Sequence, residues 1–270
     1  MKKLIVVCAM LFSQLAAAEA IPVLMYHRVV SEFTAEAQPG ETTVTVNQFR
    51  EQMNWLHLQG YKTITAAELA TMMTGKKPLP AKTVVLSFDD GWVDQLNTLS
   101  ILKEFKYKGV FAIIARIPDA KYPAYMNWDQ VRLIAKDHEI ASHMYSHSHL
   151  HSGTTDYPAA AEIIASKDII EKQLKKQIAT IVWPYGEYNQ SFVDTARRIG
   201  FKGAMTVSQT WCQVPNAPEI PWDQCLKMTK NDVGQDPLYI RRTVVDGRCD
   251  LHFFIKSVET GLADANECTK

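Results

Sequence analysis

The chain of 270 residues is predicted to be an α/β fold on a parallel sheet, and three observations carry that prediction. Short apolar runs alternate with stretches that repeat apolar residues at helical spacing. The runs are apolar throughout rather than at every second position, as strands covered on both faces are. Seven or eight such pairs follow one another, which points to a barrel rather than an open sheet.

In order, a strand is expected over 21–29 (IPVLMYHRV), then a helix over 47–60, where Phe49, Met53 and Leu56 share one side. YKTIT precedes the helix AAELATMMTG, and TVVLSF precedes LNTLSILKEF. GVFAIIA leads to WDQVRLIAKD, and EIASH to the long helix around EIIASKDIIEKQLKKQ. ATIVWPYG leads to SFVDTARRIG, whose Gly200 is placed as a helix stop, and GAMTV follows. YIRRTVV and FFIKSVETGL form the last pair. Thr210–Asp236, with Pro215, Pro218 and Pro221, reads as a long loop insertion.

With 47% hydrophobic and 21% charged residues, the composition suits a folded domain with an ample core rather than disorder. Lys plus Arg and Asp plus Glu both number 29, so no global field favours nucleic acid or an anionic membrane. Residues 1–18 combine Lys2 and Lys3, an apolar stretch from Leu4 to Leu15 and small residues at Ala16 and Ala18, as a secretory signal does. Cleavage is expected after Ala18 or Ala20, leaving a free secreted or periplasmic protein. Cys8 follows Val7 rather than the small residue that a lipid-attachment site wants. No later stretch reaches the ~20 apolar residues of a membrane span. Cys212, Cys225, Cys249 and Cys268 would remain, an even number that reads as two disulfides with three pairings open. No Cys-x-x-Cys pair favours a thiolate zinc site instead.

In parallel folds, ligands gather at the carboxyl ends of the strands. VVLSFDDGW (84–92) ends a strand on Asp89 and Asp90, two like charges that need a compensating cation or a shared proton. ASHMYSHSHLH (141–151) follows another strand and supplies His143, His147, His149 and His151. A carboxylate with two imidazoles is a common grouping for a catalytic divalent metal, and His143 and His147 are the expected pair, with His149 as a substitute. One acid could bind the ion while the other stays free as a base. A His-Glu-x-x-His protease is excluded, because Met144 stands where its glutamate must be. An iron oxygenase on an all-β double sheet disagrees with the β/α alternation. Pro184, Tyr185 and Gly186, in IVWPYGEYN, form a turn that could aim backbone N–H groups at a pocket.

LSFDDG, SHMYSH and WPYG, in this order, resemble the first three motifs of the NodB-like polysaccharide deacetylases, carbohydrate esterase family 4. With IPVLMYHRV the resemblance spans about residues 21–207, and residues 19–270 would form one such domain. Trp183 before Pro-Tyr-Gly, and RRTVV (241–245), are more similar to the branch acting on poly-β-1,6-N-acetylglucosamine, the PgaB and IcaB group. The resemblance implies a distorted (β/α)7-type barrel, here with a disulfide-stapled C-terminal insertion. It implies Asp90, His143 and His147 as ligands of a divalent ion, most simply zinc, with nickel, cobalt or iron accepted by the same donors. Asp89 would be the general base, and the backbone N–H of Tyr185 would stabilise the oxyanion.

Val182 stands where most members carry an arginine that orients the base. Arg241 or Arg242 could replace it, and strand alternation favours Arg242. The late histidine acid of the family is matched only by His252, which lacks the spacing. His27 is a pocket-rim or a core histidine. Trp92, Tyr145, Trp183 and Pro184 are the expected substrate contacts, since sugar rings pack on aromatic faces. The implied partner is a polysaccharide or oligosaccharide containing N-acetylglucosamine, with no nucleic acid, no membrane span and a monomeric state. A glycan-binding protein that kept the pocket without activity is the alternative.

Overall fold

All six residues of β1 (Ile21–Tyr26) are buried, as are all six of β5 (Thr83–Phe88), and these two strands pair in parallel at the centre of the sheet. A computed structural model describes residues 20–40, 42–149, 159–207 and 230–260 of the chain. From β5 the parallel order continues through β6 (Val110–Ile113), β7 (Glu139–Ser142), β8 (Thr180–Val182) and β9 (Gly203–Met205). β4 (Lys62–Thr63) adds to the start of β5. The segment after β9 bonds to both ends of this path. Ile240 donates to Ala204 O and accepts from Thr206 N, while β11 (Thr243–Val244) pairs in parallel with β1. One stretch thus links the last strand to the first, and the sheet curls into the distorted barrel expected from the sequence.

The helices stand where the caps allow them. α1 (Val46–Leu58), α2 (Ala66–Thr71) and α5 (Trp128–Ile134) each start on a capping box: Thr45 with Gln48, Thr65 with Glu68, and Asn127 with Gln130. Each box satisfies two backbone donors that an isolated helix end leaves open. α3 (Thr98–Phe105), α4 (Ile117–Ala120), α6 (Ala159–Leu174), α7 (Gln190–Arg198) and α8 (Leu251–Thr260) are the other α-helices among the described residues, beside short 3-10 and π turns.

Side chains alternate between two cores, because successive strand residues point to opposite faces. Val23, Val85, Val110, Ala112, Ala141, Val182, Met205 and Ile240 pack together inside the barrel. Leu24, Tyr26, Leu86, Phe88, Phe111 and Ile181 face outward onto helical residues such as Phe49, Met53, Ile101 and Leu102. Phe88 stacks on Phe111 with ring centroids 4.6 Å apart. Each such fully buried side chain contributes about 1.5–3 kcal/mol. Continued past the strand ends, the inward register falls on His27, Asp89, His143 and Arg242.

Two expectations are corrected. The single strand over 21–29 breaks at His27, and β2 (Arg28–Val30) pairs instead with β3 (Thr43–Thr45), outside the barrel sheet. Hydrogen bonding of Arg28 N to Thr42 O takes the chain out of the barrel there. The expected loop 210–236 contains β10 (Lys230–Asn231), antiparallel to β1. Asn231 stitches it in place, donating to Ile21 O and Arg241 O and accepting from Arg241 N, a contact that no periodicity announces. Residues 1–18, Cys8, Cys212, Cys225 and Cys268 lie outside the described residues, while Cys249 is buried. No helix among the described residues is long and apolar enough to cross a membrane.

The turn after β11 lies directly against β3, and Gly247 is there because nothing larger fits. A Cβ on Gly247 would sit 1.9 Å from Thr43 O. Gly247→Ala is expected to cost about 1–3 kcal/mol, as overpacking does, and to lower the urea midpoint; an unchanged midpoint would contradict the packing described.

Candidate active site

At the end of β5 the backbone turns through two left-handed residues, Asp90 (φ 76°) and Gly91 (φ 75°). Aspartate is among the few side chains that enter this region readily. The turn separates the two acids. Asp89 keeps the inward register of Val85 and Ser87, whereas Asp90 swings toward the histidine loop that follows β7.

Asp89 is 2% exposed, and its Oδ1 accepts from Arg242 Nη1 at 2.7 Å. Arg242, 1% exposed, also donates through Nε to Thr206 O and through Nη1 to Ser87 Oγ. It is therefore Arg242, and not Arg241, that reaches the acid. Burial pushes the Asp89 carboxyl up, but Arg242, with His143 and His27, outweighs burial and holds it below the ordinary carboxylate value. Gln95, fully buried, fixes the main chain by donating to both Asp89 O and His27 O.

Asp90 Oδ1 lies 3.2 Å from His143 Nε2 and 3.3 Å from His147 Nε2. One donor atom from each of the three residues falls within 4.8 Å of the others. Burial raises the Asp90 carboxyl, and the two imidazoles more than reverse this, drawing it well below its usual value. His143 Nδ1 lies 3.0 Å from Val182 O. A carbonyl only accepts, so Nδ1 carries a proton, and whenever the ring is neutral Nε2 is the atom left with a lone pair toward Asp90. For His143 burial lowers the pKa, and the Asp90 and Asp89 carboxylates raise it above normal.

The histidine loop carries two more left-handed residues, Met144 (φ 62°) and His147 (φ 61°). Glu162 on α6 holds it: this buried carboxylate accepts from Tyr145 N, Ser146 N and Ser146 Oγ. Glu162, Gln95 and the indole of Trp92, which donates to Asp90 Oδ2 at 2.9 Å, were not found in the sequence as supports of the site. Each acts across many residues or through a bond that only the folded chain makes.

Several expected contacts lie elsewhere. Trp183 is 0% exposed and packs outside the sheet against Tyr188 and Phe192, because it follows the inward Val182. Pro184 is also buried. Neither can touch a sugar. His149 is not a substitute ligand, since it stacks on Tyr185 at 3.7 Å and its Nδ1 pairs with Glu187; His151 lies outside the described residues. His252 is exposed on α8, in the layer over α1. Tyr185, left-handed at φ 56° and 46% exposed, stands at the rim with its ring edge-on to His147. Tyr145 is half-buried. His27 enters the inward register, with Nδ1 buried and without a hydrogen-bond partner, and burial lowers its pKa.

A divalent ion fits these residues. Asp90 Oδ1 is buried and accepts no hydrogen bond, although two imidazole nitrogens face it. Lone pairs in that arrangement repel unless positive charge lies between them, supplied by a proton or a metal ion. Donors bound at about 2.0–2.2 Å to one tetrahedral ion sit about 3.3–3.6 Å apart, close to the 3.2 and 3.3 Å that separate Asp90 Oδ1 from the two nitrogens. Asp89 lies alongside, with Oδ2 4.0 Å from His143 Nε2, close enough to take a proton from a group held at the ion.

Residues 76–204 match the family described as Polysaccharide deacetylase. YxkH of Bacillus subtilis (strain 168), assigned to the polysaccharide deacetylases in name, is 28% identical over 188 residues, covering 69% of this chain and 64% of that protein. The poly-β-1,6-N-acetyl-D-glucosamine N-deacetylase of Escherichia coli (strain K12) is 25% identical over 223 residues, covering 66% of this chain and 33% of the relative. The chain thus spans less than two thirds of the length of both curated relatives. Among solved structures, a de-N-acetylase from Aggregatibacter actinomycetemcomitans superposes with a TM-score of 0.68 at 26% identity, covering 88% of this chain and 99% of that one. IcaB from Ammonifex degensii superposes at 0.70 with 19% identity, covering 92% and 99%, a likeness of fold alone.

Removing Glu162 would leave two backbone N–H groups and a hydroxyl without their acceptor, at about 1–3 kcal/mol for each one that stays dry. Glu162→Ala is expected to lower the melting temperature and, by loosening the loop, to weaken zinc binding in a chelator competition. Wild-type values in both assays would rule out the brace. Arg242→Met strands a buried carboxylate and is expected to cost about 3–5 kcal/mol in urea unfolding; a loss below 1 kcal/mol would show that Asp89 does not depend on it.

Proposed function

We propose that this chain, whose residues 76–204 match the polysaccharide deacetylase family and which superposes on a solved de-N-acetylase, is a NodB-like, metal-dependent N-deacetylase. The substrate is the acetamide of N-acetylglucosamine units in an extracellular or cell-wall polysaccharide, and poly-β-1,6-N-acetylglucosamine is the polymer we assign. One observation carries the reading: Asp90 Oδ1 faces two imidazole nitrogens without a hydrogen bond, next to a second carboxylate that has its own cation. A mere binding pocket has no use for that second acid. Likeness to the Escherichia coli N-deacetylase supports the polymer. The signal-like residues 1–18 support an exported, secreted or periplasmic enzyme.

Asp90, His143 and His147 would hold the ion, for which zinc is the first choice and nickel, cobalt or iron are accepted by the same donors. When bound, it supplies Lewis acidity toward the acetamide carbonyl and a lowered pKa for water. Asp89 takes the proton of the water whose oxygen bonds to the carbonyl carbon. The C–N bond then breaks as the leaving nitrogen takes up the proton that Asp89 accepted, which restores the base, and acetate and the free amine on the sugar are the products. Arg242 holds Asp89 by Oδ1 and keeps it ionised, so the base is ready in place. The backbone N–H of Tyr185, presented by a turn that Thr206 Oγ1 ties down through Gly186 O, is assigned to the developing oxyanion. The half-exposed Tyr185 ring and the half-buried Tyr145 are the aromatic surfaces we assign to sugar.

Asp89→Asn keeps the shape and removes the base. Acetate release from β-1,6-linked N-acetylglucosamine oligomers is expected to fall at least about 10²-fold, with zinc and oligomer binding retained. Oligomer binding without acetate release by the unmutated protein, on β-1,6-linked, β-1,4-linked and peptidoglycan-derived oligomers alike, would establish an inactive glycan-binding protein instead.

A further inference from the structure

Trp92 directly follows the acids and Gly91, where an aromatic ring for sugar is expected, yet its ring is already engaged. Tyr125 stacks on it with centroids 4.3 Å apart and planes at 23°. The Arg28 guanidinium carbon lies 4.9 Å from the indole centroid. Arg28 is itself anchored, donating through Nε to Asp94 Oδ2 at 2.8 Å and through Nη1 to Glu36 O at 2.9 Å. Asp94 Oδ1 in turn accepts from Val29 N. Backbone bonds fix the same segment: Val93 N donates to Ala124 O, and Met126 N to Gly91 O. Everything around this indole serves to hold it still. Its one polar atom, Nε1, donates to Asp90 Oδ2 at 2.9 Å.

The two oxygens of Asp90 therefore have separate occupations. Oδ1 faces His143 and His147, while Oδ2 is claimed by the indole. We infer that Trp92 is a positioning residue of the metal centre: its braced N–H holds Oδ2 so that Asp90 offers a single oxygen to the ion. The inference rests on the proposed reading that these three residues bind a divalent metal. An indole N–H only donates and carries no charge, so it orients the carboxylate without competing for the ion. A carboxylate free to rotate must be ordered each time it binds the cation, which weakens the site. The chain Asp94–Arg28–Trp92–Asp90 thus connects β2 to the ligand after β5. Groups that orient metal ligands in this way typically carry a 10- to 100-fold effect on metal affinity.

Trp92→Phe keeps a ring for Tyr125 and removes the N–H. Zinc affinity, read by competition with a chromophoric chelator, is expected to fall about 10- to 100-fold. With zinc restored to saturation, KM for an oligomer is expected to stay within about twofold of the unmutated value, because the ring is not a sugar contact. Unchanged zinc affinity together with a raised KM would overturn the inference and make Trp92 a sugar contact. Failure of the unmutated protein to bind one zinc ion would remove the metal reading and this inference with it, and is told apart by testing that protein first. Should Trp92→Phe not fold, indole ¹⁵N-labelling of the unmutated protein decides. The Trp92 N–H resonance is expected to be protected from solvent exchange and to shift when zinc is added; rapid exchange with no shift would overturn the inference.

Discussion

Two neighbouring carboxylates at one strand end, Asp89 buried and Asp90 half-buried, cannot both remain ionised unless each has positive charge beside it. The rest of the site follows from this constraint. Asp89 has Arg242, drawn from the segment that links the last barrel strand to the first. Asp90 has two imidazoles and a vacancy of hydrogen bonding on Oδ1. The division gives the acids different work, since the arginine-bound one cannot also be a ligand through the same oxygen. Its partner, freed from arginine, can.

The barrel makes this division geometrically possible. Inward register brings Asp89, His143 and Arg242 from three separate stretches to one end of the interior. The backbone then departs from ordinary angles where function requires it: Asp90, Met144, His147 and Tyr185 all adopt left-handed φ around the site. Such residues cost of order 1 kcal/mol or more each and persist only where packing over-determines them. Glu162 under the histidine loop and Thr206 under the Pro-Tyr-Gly turn are the hydrogen-bonding groups that do so here.

Much of this was legible in the sequence, for identifiable reasons. Apolar runs ending in Asp-Asp-Gly and Ser-His announced both the sheet and the site, because parallel strands expose their carboxyl ends. Alternation singled out Arg242 over Arg241. The same alternation, applied one residue past Val182, would have sent Trp183 outward into the core, where it is found. His149 could not be separated from His147 by spacing alone, since the left-handed turn at His147 decides which ring faces Asp90. Gln95, Glu162 and the brace on Trp92 were illegible, being single polar residues whose partners are distant in sequence or set by the fold. Asn231 and the short strand it secures were hidden for the same reason.

Relatives share the fold over most of this chain, while the chain spans less than two thirds of its curated relatives' lengths. The chemistry therefore has to be judged at the three donors themselves. Anomalous scattering at the zinc absorption edge, from crystals grown with zinc, is the most direct measurement. The account requires one strong peak about 2.0–2.2 Å from Asp90 Oδ1, His143 Nε2 and His147 Nε2, with Asp89 still on Arg242. No peak there, or an ion bound by Asp89, would contradict it.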